Sequence, residues 1–194
     1  MNETLVHLNN FTYFHSFIQQ TNLPMAKNIF ITGTPGVGKT TLLKKLAHDL
    51  SMLVIKGFYK EKIVEDDSTR GFRVVSFDYQ EQILAHLFIE GPNKIDGFGV
   101  NIDGFEKFIL PQLKNLDMVD LFIFDEIGKM ECMSEPFCKG FQKILDIDTP
   151  IIATYSHYGP LKFEVLKKRK DTTFLQMTSK NRDDIWKKVL LSIE

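Results

Sequence analysis

KNIFITGTPGVGKTTLLKKLAHDL, residues 27–50, decides the fold. KNIFIT (27–32) is a short apolar run of the kind a buried strand needs, and TTLLKKLAHDL (40–50) has helical spacing. Between them GTPGVGKTT (33–41) matches G-x-x-x-x-G-K-[ST]. Gly33, Gly36 and Gly38 let the backbone turn where a Cβ forbids it and bring its N–H groups onto phosphate oxygens. The helix that starts near Lys39 adds its positive end. The expected phosphate cradle is therefore Gly33, Thr34, Pro35, Gly36, Val37, Gly38, Lys39, Thr40 and Thr41. Lys39 reaches the β- and γ-phosphates and the Thr40 hydroxyl binds Mg²⁺. The plainer alternative is a glycine-rich β–α turn with a solvated lysine.

A cradle that holds a nucleotide with Mg²⁺ needs a second acid. LFIFDEIGKME (121–131) supplies it: four apolar residues run into Asp125 and Glu126. In open α/β sheets ligands bind at the carboxyl ends of the strands. Asp125 is the expected metal-side acid, acting through a water because Mg²⁺ keeps several. Glu126 is placed to orient and polarise a water for in-line attack on the γ-phosphate. Hydrolases need that water, whereas kinases use an acceptor in its place. Without the cradle, the two acids would be as well explained as hydrated residues at a strand end.

The rest of the chain alternates. MLVIKGFY (52–59), LFIFDE, TPIIATYS (149–156) and TTFLQMT (172–178) have strand character, and FGVNID (98–103) contains a short strand. FEKFILPQLKNL (105–116), SEPFCKGFQKILDI (134–147), LKFEVLKKRK (161–170) and NRDDIWKKVLLSI (181–193) have helical character. Ser134 is the expected N-cap of the second of these helices, and Pro136 lies in its first turn. Such alternation indicates an α/β domain of three layers around a mainly parallel sheet. FRVVSF (72–77), with turn chemistry at Asp66-Asp67-Ser68 and Gly71, makes 57–78 a β-hairpin insertion. Residues 1–24 stand apart as an N-terminal helical extension that Pro24 ends, with 25–194 as the P-loop NTPase domain. The extension reads either as a docking helix for a protein partner or as a helix packed on the domain or lying upstream of the usual start, since Met25 can itself begin a protein.

Composition narrows the partners. The 194 residues carry a formal net charge of -1, which gives no electrostatic argument for nucleic acid or an anionic membrane. No apolar run approaches the roughly 20 residues that cross a bilayer. Cys132 and Cys138 have neither zinc nor thioredoxin spacing and suit a reducing, cytoplasmic compartment. Seventeen phenylalanines point to a Phe-rich core. A monomer is the expected state.

Together GTPGVGKTTL, GFY (57–59), RGF (70–72), FGVNIDGFE (98–106), DEIGKME (125–131), AT (153–154) and NRD (181–183) resemble a known family. This is the small P-loop nucleoside-triphosphatases first described from thermophiles, with a vertebrate member called cancer-related nucleoside-triphosphatase. The resemblance covers about residues 27–185. It implies a RecA-like domain and slow, Mg²⁺-dependent hydrolysis of several nucleoside triphosphates, ATP and GTP among them, to diphosphate and phosphate. It also places Lys129 and Glu131 in the loop beside the γ-phosphate. There Lys129 is read as a catalytic cation, against a salt bridge within the loop, and Arg70 and Arg73 compete for that role against a reading as solvated hairpin charges. Thr154 is expected near the attacking water. Asn181 and Arg182 are expected near the base or ribose, although N-x-x-D also fits an Asn N-cap with a solvated Arg. The chain departs from the family pattern at Lys60, usually Thr, at Arg70, displaced by one with Thr69 in the usual place, and at Asp96, usually Gly. A nucleotide or nucleoside kinase is the competing enzyme class, and a nucleotide-gated binding module the competing non-enzyme.

Overall fold

The computed structural model describes residues 27–155 and 161–193; the extension over 1–24 and the start at Met25 lie outside them. Among the described residues nine strands form one sheet: β1 Asn28–Thr32, β2 Ile55–Glu65, β3 Ser68–Ser76, β4 Glu81–His86, β5 Lys94–Ile95, β6 Phe98–Val100, β7 Leu121–Ile127, β8 Ile151–Tyr155 and β9 Thr172–Gln176, in the order β5-β6-β4-β3-β2-β7-β8-β1-β9. The α-helices are α1 Lys39–Asp49, α2 Ile102–Ile109, α3 Glu135–Ile144 and α4 Arg182–Ile193. Ser134 caps α3 as expected, its hydroxyl accepting from Phe137 N at 3.0 Å. The 161–170 segment is a 3₁₀ helix, Leu161–Lys168.

Strand residues alternate between two cores. Ile29, Ile31, Leu121, Ile123 and Ile152 pack with Leu42, Leu43 and Leu46 of α1 and Ile185 and Val189 of α4. Phe30, Phe122, Phe124 and Ala153 face the other way, onto Phe105 of α2 and Phe137 and Phe141 of α3. This gives three layers, helix–sheet–helix. The second core is the expected Phe-rich one. Phe58–Phe105 and Phe124–Phe141 meet edge to face, at centroid distances of 5.6 and 5.4 Å, the favoured geometry of aromatic pairs.

The sheet is not mainly parallel. β2, β7, β8, β1 and β9 pair in parallel, while β2–β3, β3–β4, β4–β6 and β6–β5 are antiparallel. Parallel neighbours need a crossover of a dozen residues or more, whereas the connections between β2, β3, β4, β5 and β6 are shorter than that, the longest being 87–93. Asp66 and Asp67 make the first turn, both at positive φ (47° and 57°), as a two-residue hairpin with right-handed twist requires. β2 belongs to both halves: Ile55–Tyr59 pair with β7, and Phe58–Glu65 pair with β3. The hairpin is thus continuous with a central strand. EQILAH carries no clear strand pattern, yet it forms β4, paired with β3 and β6.

Gly57 shows how tightly β2 and β7 are joined. Its φ is +115°, and a Cβ there would stand 2.0 Å from the carbonyl oxygen of Ile123. Backbone in a central strand cannot yield that much. Gly57→Ala is expected to destabilise the fold by about 4 kcal/mol or more, measured by urea unfolding. A loss under about 1 kcal/mol would show that the strand can shift.

Candidate active site

β1 ends at Thr32 and the chain turns through 33–38 into α1. Gly38, at φ +101°, is the N-cap of α1. A Cβ on Gly33 would stand 2.6 Å from the carbonyl oxygen of Met177, so this position needs glycine for close approach. Val37 is buried in the α1 core and anchors the turn, its N–H donating to the Thr34 carbonyl at 3.2 Å. The Lys39 ammonium lies back over the turn, donating to the Gly33 carbonyl at 2.9 Å and to that of Thr34 at 3.4 Å.

The carboxyl end of β7 faces this turn. Asp125 is 2% exposed and accepts from two hydroxyls, Thr40 Oγ1 at Oδ2 and Thr154 Oγ1 at Oδ1, both at 2.5 Å. Burial pushes its carboxyl above the ordinary carboxylate range, against those two hydrogen bonds and the charge of Lys60 and with that of Glu126. Pairing of β7 with β8 breaks between Phe124 and Ile127, so Asp125 and Glu126 fall outside that ladder. Pro35, Gly36, Gly38, Lys39, Thr40, Thr41, Asp125, Glu126, Gly128 and Lys129 line one open cleft of about 810 Å³.

The two oxygen donors, Thr40 and Asp125, suit a hard cation. Mg²⁺ is commonly held by one or two protein oxygens plus substrate phosphates, and such a site needs no acidic cage. Among the described residues there is no cluster of three or more His, Cys, Asp or Glu able to hold a metal ion. A buried carboxylate touching the hydroxyl at the start of α1 fits a shared metal.

Other expectations are changed by the geometry. Thr154 is fully buried and donates its hydroxyl to Asp125, so it orients the acid rather than a water. Asn181 is turned inward on its own loop: Oδ1 accepts from Thr178 N at 2.7 Å and Nδ2 donates to the Gln176 carbonyl at 3.0 Å. It therefore closes the turn into α4 instead of facing a base. Its neighbour Arg182 does approach the cradle, its guanidinium carbon 3.5 Å from where a Gly38 Cβ would stand. Arg182 also lines a second cleft with Gly38, Thr41 and Trp186. Arg73 lies on Glu61 through Nε and Nη2 and on Glu81 through Nη1. Arg70 is 3.9 Å from Glu65. Neither arginine lines the cleft of Lys39 and Glu126. Lys129 is exposed at its rim.

Lys60 also lines this cleft, and Glu131 is buried next to it. Glu131 is fully buried, its Oε2 accepting from Gly128 N at 2.9 Å and its Oε1 meeting Lys60 Nζ at 2.9 Å. The first contact closes the turn after Glu126, which explains why an acid stands three residues past Gly128. Burial lowers the Lys60 amine, but Glu131, Glu126 and Asp125 outweigh it and hold it above its ordinary value. IKGFYKE carries Lys56, Lys60 and Glu61, so charge alone does not single out Lys60 in the sequence.

These features, a glycine turn onto a helix start and a paired acid at the end of a parallel strand, define a nucleotide-binding α/β domain. A family model described as NTPase matches residues 28–190. Nucleoside-triphosphatase THEP1 of Thermotoga sp. (strain RQ2) is 36% identical over 163 residues, 84% of this chain and 92% of that protein. The human cancer-related nucleoside-triphosphatase is 30% identical over 186 residues, covering 88% and 98%. The crystal structure of THEP1 from Aquifex aeolicus superposes with a TM-score of 0.76 at 31% identity, covering 86% of this chain and 99% of that one. The chain belongs to this NTPase family.

Proposed function

We propose that the protein hydrolyses nucleoside 5'-triphosphates, ATP and GTP included, to the diphosphate and phosphate, with Mg²⁺ as cofactor and Glu126 activating the water. The family makes the chain a nucleoside-triphosphatase. The observation that supports the finer reading is the Thr40–Asp125 contact of 2.5 Å, which brings the glycine turn and the acid pair into one cleft. A RecA-like arrangement is supported by the parallel order, with β8 between the strand of the glycine turn and the strand of the acids.

In this reading the N–H groups of 33–41 hold the phosphates as a P-loop. Lys39 leaves the carbonyls of Gly33 and Thr34 for the β- and γ-phosphates. Thr40 and Asp125 would hold the metal, which when bound would supply positive charge against the phosphate oxygens. Glu126 accepts a proton from water as the water oxygen bonds to the γ-phosphorus. The bond from that phosphorus to the β–γ bridging oxygen breaks, and the electron pair leaves on the diphosphate. Thr154 fixes the rotamer of Asp125. Arg182 contacts the ribose or base side of the cradle, and Lys129 a γ-phosphate oxygen when its loop closes.

The test is phosphate release from ATP and GTP with Mg²⁺ and no acceptor. Steady release is expected. Release only after nucleosides or nucleotides are added, with the γ-phosphate on them, would make the protein a kinase.

A further inference from the structure

We infer that Lys60 is a catalytic cation of this cleft, held ready by Glu131 to meet the charge that spreads over the γ-phosphate oxygens during hydrolysis. This rests on the hydrolytic reading above. Three observations carry it. Lys60 lines the same cleft as Lys39, Thr40, Asp125 and Glu126. It follows Tyr59, which lies opposite Asp125 in the β2–β7 register, so the strand pairing itself brings Lys60 level with the acids. Its side chain is only 19% exposed and its Nζ is fixed 2.9 Å from a carboxylate that is 0% exposed.

Electrostatic stabilisation of a transition state works best from charges already in place, in a site that excludes water. Lys60 meets that condition: the ring of Phe72 lies 5.9 Å from its ammonium, and Glu131 holds the ammonium and also closes the turn at Gly128. The other cations of the cleft do not meet it. Lys129 and Lys62 are exposed, and Lys39 donates to the Gly33 carbonyl within the glycine turn. Two carboxylates, Asp125 and Glu126, line the cleft into which an anionic phosphoryl group must pass, and Glu131 lies buried next to Lys60. A buried ion pair whose only purpose was stability would be a poor choice, because well-packed apolar residues commonly do as well or better.

Removing Lys60 alone would leave Glu131 charged and buried without a partner, so that variant confuses folding with chemistry. The informative pair is Glu131→Gln and Lys60→Gln/Glu131→Gln. Both keep an acceptor for Gly128 N, and in the double variant the two amides can hydrogen-bond to each other. They differ only at residue 60, in its charge and in the reach of its side chain. The double variant is expected to keep KM within about threefold of the single one and to lose a further ~10²-fold in kcat. The same factor is expected in affinity for diphosphate plus aluminium fluoride, a mimic of the transferring phosphoryl group, with diphosphate alone binding equally. This second measurement requires no turnover. Equal kcat in the two variants, or equal affinity for the mimic, overturns the role of Lys60. A wild type that releases no phosphate defeats the hydrolytic reading itself, so the two failures are distinct.

Discussion

Glu126→Gln is expected to bind Mg²⁺ and triphosphate nearly as the wild type does and to release phosphate about 10³-fold more slowly. Glu126 lies outside the β7–β8 ladder and lines the cleft, half-buried. Its side chain lines the open cleft, where a water can reach the carboxylate. The amide keeps the shape and loses the proton acceptor, so the loss belongs in the chemical step. Single-turnover phosphate release separates that step from binding and product release. A variant that bound poorly but turned over normally once saturated would move Glu126 out of catalysis and into binding.

The second large effect has opposite signs for stability and activity. Asp125→Asn is expected to raise the stability of the metal- and nucleotide-free protein by about 1 kcal/mol, or ~2–4 °C in Tm. It is expected to cut hydrolysis by ~10² or more. Burying a carboxylate at 2% exposure is costly even with two hydroxyl donors. The hydroxyls of Thr40 and Thr154 can accept as well as donate, so a neutral amide remains satisfied. Asp125 has a raised folded value, so its ionisation costs stability as pH rises through the carboxylate range. The Asn variant should therefore gain most near neutral pH and nothing well below that range. A variant that is less stable at pH 7 would mean that the charge supports the fold.

The parts legible in the sequence are those in which neighbours in the chain are neighbours in space. GTPGVGKTT is a backbone shape demanded by phosphate, and LFIFDE is an apolar strand with acids at its end, so both could be read locally. The parts that were missed depend on register. Lys60 and Glu131 stand 71 residues apart, and Thr154 and Asp125 stand 29 apart. Nothing in either segment announces its partner until β2, β7 and β8 are aligned. The antiparallel half was missed for another reason. EQILAH buries only Leu84 and Ala85, so its apolar pattern is too short to suggest a strand. Asn181 illustrates a signal with two meanings: N-x-x-D opens a helix whether or not a ligand is near, and here the side chain is spent on the turn.

The most direct measurement is hydrolysis of ATP or GTP in water labelled with oxygen-18, followed by mass analysis of both products. Attack by water on the γ-phosphorus predicts one labelled oxygen in each released phosphate and none in the diphosphate. Label in the diphosphate, or phosphate that leaves only on an added nucleoside or nucleotide, would contradict it.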